Sequence, residues 1–251
     1  MPRSRRLVPA LCALAAVSAL GACAYNEALG RSQLLLVDSA SLNQQSNAAW
    51  QEALRTQTAA TTGAQVDRIR RVGGRLVQAA GLADRSWDYA VFSDDSPNAF
   101  VLPSGQIGVT SGLLALVRND DQLASVIGHE IGHVVAHHAA ERSSTSALSS
   151  LALQIGTRAA GDYGQAVGAY GGLAAQYGVL LPYSRRDELE ADRLGVDYMA
   201  AAGFKPSEAV ALWRLMAAQR QGGVPQFAST HPSDDTRIDM LQQYIASRGW
   251  N

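Results

Sequence analysis

Residues 119–142 of this chain read NDDQLASVIGHEIGHVVAHHAAER, and this stretch predicts one long amphipathic helix. Asn119 or Asp120 can cap its N-terminus, because both side chains can accept hydrogen bonds from the free N–H groups of a first helical turn. Apolar residues recur at spacings of three and four and predict one buried face, formed by Leu123, Val126, Ile127, Ile131, Val134 and Val135.

The same face of this helix carries His129-Glu130-Ile131-Gly132-His133, an HExxH motif. Two histidines four positions apart project from one side of a helix, about one turn from each other, so both imidazoles can bind one metal ion. Glu130 can then hold a water molecule without binding the ion itself. The alternative is a helix with two hydrogen-bonded core histidines. Four of the five histidines in the chain lie on this stretch, which favours a metal site.

A catalytic zinc ion needs a third protein ligand and one position open to water. The candidates are a carboxylate and three further histidines, His137, His138 and His231. Three ligands stacked on one straight helix cannot surround an ion well, so a carboxylate from another helix closes the site more easily. The stretch SRRDELEADRLG at 184–195 offers Glu188 and Glu190, and chemistry alone leaves both open. Asp192 can accept the free N–H of a ligand histidine.

The rest of the chain predicts further helices and a small sheet. Helices are expected at 48–59, 66–80 (interrupted at Gly73-Gly74), 111–117, 184–203 and 206–221, and again after Asp234, where Ile238, Leu241 and Ile245 point inward. Residues 87–92 alternate like a strand. Residues 98–110 read as a strand, a Pro-Ser-Gly turn and a second strand, which predicts a hairpin just before the HExxH helix.

This hairpin gives a candidate surface for binding a peptide. A strand edge beside a metal site can bind an extended peptide as an additional strand. The substrate-strand candidates are therefore Asn98, Ala99, Phe100 and Val101. The alternative is an ordinary core hairpin.

Residues 143–183 have an unusual composition, rich in Ala, Gly, Ser and Leu and with only two charged residues, Arg158 and Asp162. Packed or mobile helices are the simplest interpretation. A lid over the site, or a patch that contacts a membrane or a partner, is the alternative.

The N-terminus predicts a targeting segment. Three arginines precede the apolar run 7–20, and the sequence Leu20-Gly21-Ala22-Cys23 resembles a bacterial lipobox, in which the cysteine is acylated after cleavage. An ordinary cleaved signal or an uncleaved anchor helix is the alternative. We therefore expect a signal peptide at 1–22, an irregular lipidated tether at 23–46, and a single domain at 47–251. Acyl chains on Cys23 would anchor the protein stably to a bilayer.

The composition fits a globular protein of one catalytic domain, with 47% hydrophobic and 17% charged residues in 251. The formal charge of −1 falls to −4 without residues 1–22, which contain three arginines and no acid. This balance predicts no nucleic-acid partner. After cleavage Cys23 is the one remaining cysteine, so neither an internal disulfide nor a cysteine ligand is expected.

Four segments together resemble the HtpX and CAAX-prenyl-protease (Ste24-like) family of zinc metallopeptidases, and more narrowly its bacterial lipoproteins. They are NAFVLPSGQIGVTSGLL, HEIGHVVAHH, SRRDELEADRLG and STHPSDDTRI, which occur in this order between about residues 65 and 245. Integral members of the family have several membrane-spanning helices, and none is visible here. Prenylated substrates and cleavage within the membrane are therefore not expected.

The resemblance implies the site and the fold. It assigns one Zn²⁺ per chain to His129, His133 and Glu188, and the role of catalytic base to Glu130. It matches Asp192 to the aspartate of the family's ExxAD pattern, and His231 to a histidine near the zinc that stabilises the transition state or fills the open position. The implied fold is α+β and mostly helical, a zincin-type (gluzincin) domain with a small antiparallel sheet beside the HExxH helix.

These expectations combine into a zinc endopeptidase of the bacterial cell envelope that cleaves misfolded or unassembled envelope polypeptides. By resemblance to bacterial lipoproteins, Ala24 after Cys23 implies the outer membrane, with the protein facing the periplasm. One alternative is an envelope chaperone or assembly factor on a latent zincin scaffold, with His231 closing the zinc site. A purely structural zinc site is another, and it would need four protein ligands.

Overall fold

The computed structural model describes residues 23–159, 183–218, 231 and 235–250. The chain divides into two compact units, one of residues 1–38 and 139–179 and the other of residues 39–138 and 180–251. The single domain expected at 47–251 stays a prediction. The expected signal peptide at 1–22 lies outside the described residues.

The described residues form six strands and eight helices. The strands are β1 (Cys23–Asn26), β2 (Arg31–Leu34), β3 (Ala59–Ala60), β4 (Asp88–Phe92), β5 (Ala99–Leu102) and β6 (Gln106–Thr110). The helices are α1 (Ser39–Thr56), α2 (Ala64–Ala79), α3 (Ser111–Leu116), α4 (Asp120–Val135), α5 (His138–Ala159), α6 (Arg185–Ala201), α7 (Ser207–Ala218) and α8 (Asp235–Ser247).

The described part of the first unit begins with a hairpin. An irregular tether was predicted there, so the prediction of irregular structure was wrong. Strands β1 and β2 pair antiparallel. The side chain of Asn26 accepts hydrogen bonds from the backbone N–H groups of Ala28 and Leu29, and Gly30 has φ 67°, which together close the turn. The helix α1 also begins at Ser39, nine residues before its expected start at 48.

Two side chains of β2 attach to α5 within this unit. The guanidinium of Arg31 donates two hydrogen bonds of 2.9 Å to Glu141, and the amide of Gln33 donates one of 2.6 Å to the same carboxylate. Cys23 is exposed at the start of β1. The residue predicted to carry the lipid is therefore part of a strand, and its lipidation stays a prediction.

The second unit contains a sheet of order β3-β4-β6-β5. The β5–β6 hairpin agrees with the prediction, but β4 and β6 pair parallel, so the predicted antiparallel sheet was wrong. The hairpin inserts its second strand beside β4 and leaves β5 at the edge of the sheet. The fold is mostly helical α+β, as expected.

Helix α2 runs through Gly73 and Gly74 without the predicted interruption. A Cβ atom at Gly73 would lie 3.1 Å from the Ile107 side chain and 3.2 Å from the Tyr89 ring. The glycine therefore lets α2 pack closely on the sheet, where a break had been expected.

Helix α4 is the centre of the second unit and contacts α2, α6, α7 and β5. Its N-terminus is capped as predicted, because the Asn119 side chain accepts a hydrogen bond of 2.8 Å from the N–H of Gln122. Residues 122–133 are all buried. The helix ends at Val135, and His137 has the left-handed φ of 52° before α5 begins. The single helix predicted for 119–142 was therefore wrong.

Helix α6 begins and ends where its sequence predicted. Ser184 and Asp187 form a reciprocal capping box at its N-terminus. Gly203, with φ 74°, follows its C-terminus. The predicted inward residues of α8, Ile238, Leu241 and Ile245, are all buried.

Residues 143–183, for which packed helices or a lid were predicted, are described in part. Helix α5 continues to Ala159, and residues 160–182 lie outside the described ranges, as do the cap predicted at Asp234 and the end of the helix predicted for 206–221. Within the described ranges, no helix combines the length and the apolar character needed to cross a membrane.

Candidate metal centre

Small residues bring α4 and α6 into close contact. A Cβ atom at Gly132 would lie 2.7 Å from the carbonyl oxygen of Ala191, and one at Gly128 would lie 3.0 Å from that of Gly195. In the other direction, a Cβ atom at Gly195 would lie 2.8 Å from the backbone nitrogen of His129. The two backbones can approach this closely only because these positions have no larger side chain. The predicted histidines and carboxylates therefore face each other across this contact.

Four buried side chains meet at this helix crossing, namely those of His129, His133, Glu188 and His231. One nitrogen or oxygen of each lies within 4.8 Å of the corresponding atoms of the others. Glu188 is fully buried, although it is charged, and Glu190 is not part of the group. Of the two carboxylates that the sequence left open, the structure thus brings Glu188 to the histidines.

The separations between these atoms fit a tetrahedral zinc ion. Ligand atoms about 2.0–2.1 Å from such an ion stand roughly 3.3–3.4 Å apart. The Nε2 atoms of His129 and His133 are 3.1 Å apart. Oε2 of Glu188 lies 3.4 Å from Nε2 of His129, and Oε1 of Glu188 lies 3.5 Å from Nε2 of His133. These three side chains therefore stand close to ligand spacing without any rearrangement.

Oε1 of Glu130 is buried and accepts no hydrogen bond, whereas Oε2 of Glu188 faces the guanidinium of Arg237 as an ion pair. A buried polar atom without a partner costs about 1–3 kcal/mol, and more when it is charged. A water molecule would supply the missing partner of Glu130 at this position. The donor set and this oxygen both fit a zinc site.

A second layer of contacts holds His129. Its Nδ1 lies 2.9 Å from Oδ1 of Asp192, which leaves Nε2 facing the cluster. Arg237 in turn donates two hydrogen bonds to Asp192, of 2.5 and 2.7 Å, and its Nη1 lies 2.5 Å from Oε2 of Glu188. The guanidinium thus stabilises both carboxylates from behind.

Sequence reasoning missed Arg237, which contacts two carboxylates at the site. It is buried, and its guanidinium also lies 4.1 Å from the ring centre of Trp213. The signal was present in the sequence, because Arg237 lies four positions before Leu241 and next to Ile238 on the inward face of α8. A charged residue at a core position needs a buried partner of opposite charge.

Neighbouring charges raise the pKa of one buried histidine at the site and lower the pKa values of two buried carboxylates. Burial opposes protonation of His129, but the hydrogen bonds and charges of Asp192 and Glu188 outweigh it and raise the pKa of His129 to about 9. Burial would also raise the pKa of Glu188, yet hydrogen bonds from the three histidines hold it far below its usual range. The pKa of Asp192 is lowered to about 2, because the charge of Arg237 outweighs burial. Both carboxylates are therefore ionised.

Glu130 differs from these carboxylates. Burial raises its pKa, against the opposing charges of His231 and His129. A carboxylate that binds a proton more readily is suited to taking one from water and releasing it again. The Nε2 of His231 lies 3.4 Å from Oε1 of Glu130.

His231 reaches into the centre of the cluster. Its Nδ1 lies 3.2 Å from Nε2 of His129 and 2.9 Å from an oxygen of Glu188. The residue is buried. Its Nδ1 therefore stands near the fourth corner of the set, and the role of His231 stays a prediction.

His133 is held by Tyr183, for which the sequence predicted no role, and by His138, which had been considered as a metal ligand. The Tyr183 ring stacks on His133, with 4.1 Å between ring centres. On the other nitrogen of His133, Nδ1 lies 2.8 Å from Nδ1 of His138. His137, the other histidine considered as a ligand, is half-buried and is not part of the cluster.

The substrate-strand candidates lie at the edge strand β5, which contacts α4. The side chains of Ala99 and Val101 join the core that includes α4, and Phe100 packs with Trp50 and Phe92 on the other face. Asn98 accepts a hydrogen bond of 3.0 Å from the N–H of Thr110. The side chains are thus engaged in packing, and the backbone of the edge is what a peptide could contact.

Comparison with known proteins identifies related sequences. The profile of peptidase family M48 matches residues 64–245. The mitochondrial metalloendopeptidase OMA1 of Schizosaccharomyces pombe is 37% identical over 179 residues, which cover 70% of this chain and 52% of that protein. Metalloendopeptidase OMA1 of Bos taurus is 31% identical over 235 residues, covering 86% of this chain and 45% of its own.

A bacterial relative is the beta-barrel assembly-enhancing protease of Escherichia coli, which is 29% identical over 182 residues, or 68% of this chain and 37% of that protein. The chain thus spans about half, or less, of the length of these relatives. The matches support a metalloendopeptidase. The narrower resemblance, to HtpX and CAAX prenyl proteases and to their lipoproteins, stays a prediction.

Proposed function

The chain belongs to peptidase family M48, and from this premise we propose that it is a zinc-dependent endopeptidase of the bacterial cell envelope. In this proposal His129, His133 and Glu188 hold one zinc ion, and Glu130 is the catalytic base. The observation that carries the proposal is the cluster of buried ligand atoms spaced for one ion, next to a glutamate oxygen that has no hydrogen-bond partner.

When bound, zinc polarises the scissile carbonyl and lowers the pKa of water toward about 7. Glu130 accepts the proton of the attacking water and then delivers it to the leaving amine, a role favoured by its raised pKa. Asp192 holds Nδ1 of His129 and so keeps Nε2 directed at the ion. Arg237 keeps Asp192 and Glu188 ionised, which maintains the negative charge that a cation requires.

The substrate in this proposal is an extended polypeptide that adds to the edge of β5. Residues 98–101 offer a strand backbone beside α4, and no described strand covers that edge. Recognition through backbone hydrogen bonds has little sequence preference, which suits misfolded or unassembled envelope proteins. The named activities of the bacterial and mitochondrial relatives as proteases support this class of substrate.

The location in the envelope rests on the N-terminal sequence. We propose acylation of Cys23 after cleavage and attachment to the outer membrane, facing the periplasm. Cys23→Ser should then release the protein from the membrane fraction into the soluble periplasmic fraction. A Cys23→Ser protein that remains with the membrane would refute the lipid anchor without affecting the peptidase proposal.

A latent state is a second possibility, because Nδ1 of His231 stands near the fourth corner of the ligand set. With His231 in this position, water and substrate are excluded until it moves. His231→Ala should then cleave unfolded protein faster than the wild type. A lower rate would instead give His231 a role in the transition state, and an unchanged rate would refute both roles. The chaperone alternative is not favoured, since the matching relatives are named as proteases.

The proposal is tested with Glu130→Gln, which keeps the size of the side chain but cannot accept the proton. We expect loss of cleavage of an unfolded protein such as casein, with one zinc ion still bound per chain. The matched control is Glu52→Gln on the exposed surface of α1, which should cleave like the wild type. Cleavage by Glu130→Gln at the wild-type rate, or a wild-type protein without zinc, would disprove the proposal.

A further inference from the structure

We infer that Glu190 and His138 form a positioning pair that fixes the ring of His133 for metal binding. This inference rests on the zinc site proposed above and assigns two residues outside the ligand set. The Nδ1 atoms of His138 and His133 are 2.8 Å apart, and Nε2 of His138 lies 2.9 Å from Oε2 of Glu190. His138 is fully buried, so its contact with His133 is shielded from water, and its contact with Glu190 is partly buried.

When Nε2 of His133 binds the metal, the hydrogen bonds that link His133, His138 and Glu190 can be donated in one direction only. If Nε2 of His133 binds the ion, its Nδ1 carries the proton and donates it to Nδ1 of His138. Nε2 of His138 must then carry a proton, and it donates to the carboxylate of Glu190. The negative charge of Glu190 at the end therefore favours the one tautomer of His133 that leaves Nε2 free for a metal.

The two ligand histidines thus have separate supports of the same chemical kind. His129 is held by Asp192, which is itself bound by Arg237. His133 is held by His138, which is bound by Glu190. Both Asp192 and Glu190 lie on α6, so the helix that supplies the third ligand also orients the other two.

The break after α4 makes this contact possible. In a straight helix, five positions correspond to a rotation of about 140°, so His138 would point away from His133. Because the chain takes the left-handed conformation at His137, the helical path is interrupted there, and Nδ1 of His138 comes within 2.8 Å of Nδ1 of His133. The unusual φ of 52° at a non-glycine residue therefore has a geometric purpose here.

A second metal site is the competing interpretation, because atoms of His138, Asp187 and Glu190 also lie within 4.8 Å of one another. Both ring nitrogens of His138 already have partners. Asp187 accepts the hydrogen bond of the capping box from the N–H of Ser184. These three side chains are thus engaged in hydrogen bonds, which favours the positioning pair.

The test measures zinc affinity by competition with a chelator, on the full-length protein, and needs no activity. His138→Leu removes the acceptor and should weaken zinc binding about 10–100-fold. His138→Asn keeps an acceptor near the place of Nδ1 and should stay within a few-fold of the wild type. Glu190→Ala should weaken binding about tenfold. The control is His137→Asn, which tolerates the left-handed conformation and should bind like the wild type.

Two results would overturn the inference. One is wild-type affinity in His138→Leu, and the other is an equal loss in His138→Asn and His138→Leu, which would indicate packing alone. Thermal unfolding without metal shows whether each variant folds, and if His138→Leu does not, then Glu190→Ala decides by the same criterion. A wild-type protein that binds no zinc would instead refute the proposed function itself.

Discussion

Gly132 lies so close to Ala191 that a Cβ atom on the glycine would stand 2.7 Å from the alanine carbonyl oxygen. This contact sets the distance between α4, which carries the two histidines, and α6, which carries Glu188. Gly132→Ala must push the helices apart, since the obstructing atom belongs to the backbone. We expect a loss of about 1–3 kcal/mol in the free energy of unfolding, measured by denaturant titration, together with weaker zinc binding.

Gly74→Ala on α2 is the matched control. A Cβ atom there would find its closest neighbour at 3.9 Å, the hydroxyl of Tyr89, which is ordinary contact. In a helix interior, alanine is more favourable than glycine by up to about 1 kcal/mol, so Gly74→Ala should be neutral or stabilising. If Gly132→Ala has the same small effect, the close helix contact does not determine the geometry of the site.

The local features of this fold could be predicted from the sequence because short-range interactions determine them. The Asn119 cap, the capping box at Ser184 and the β5–β6 hairpin all depend on residues a few positions apart. The spacing of His129 and His133 is likewise a property of one helix. Glu188 could not be separated from Glu190 on chemistry alone, because that choice depends on how α6 rotates against α4.

The errors arose where the chain departs from a regular pattern. Strands β1 and β2 lack alternating apolar residues, and their hairpin is closed by Asn26 and Gly30 instead. The parallel pairing of β4 with β6 depends on where a hairpin inserts, which no local signal encodes. The helix break at His137 places a non-glycine residue at positive φ, which is uncommon. Each of these features requires tertiary contacts to be known.

Glu188→Ala should strip zinc from the protein, because it removes the proposed third ligand and leaves His129 and His133 alone. Metal content per chain, measured after dialysis against a weak chelator, should fall well below one. Exposed Glu52 again provides the control, and Glu52→Ala should retain one zinc ion. Unchanged zinc content in Glu188→Ala would move the third ligand to another residue, with His231 the nearest candidate.

Arg237→Met should destabilise the metal-free protein strongly. The guanidinium lies between Asp192 and Glu188, and without it two buried carboxylates lose their cation. Removing one partner of a buried ion pair typically costs about 3–5 kcal/mol. Denaturant unfolding of the metal-free protein measures this loss. Arg214→Met, at an exposed arginine that contacts Gln242, should change stability little; equal effects of the two changes would remove the proposed role of Arg237.

Asp120 gives a pH-dependent contribution to stability that is independent of the metal site. It accepts hydrogen bonds of 2.7 Å from Arg68 and 3.1 Å from Arg71, and thereby joins the start of α4 to α2. Partial burial opposes its ionisation, but the two arginines outweigh this effect and lower the pKa of Asp120. A carboxylate whose pKa is lower in the folded protein than in the unfolded chain stabilises the fold above the unfolded pKa.

Asp120→Asn should therefore cost about 0.5–1 kcal/mol at pH 7, since the pair is partly exposed. The difference from the wild type should shrink as the pH falls through the folded pKa of Asp120, because the protonated wild type then resembles the variant. Urea unfolding between pH 7 and pH 3 measures both effects. Asp239→Asn, at an exposed position of α8, is the control and should show no such trend. A difference that stays constant with pH would show that the Asp120 charge does not stabilise the fold.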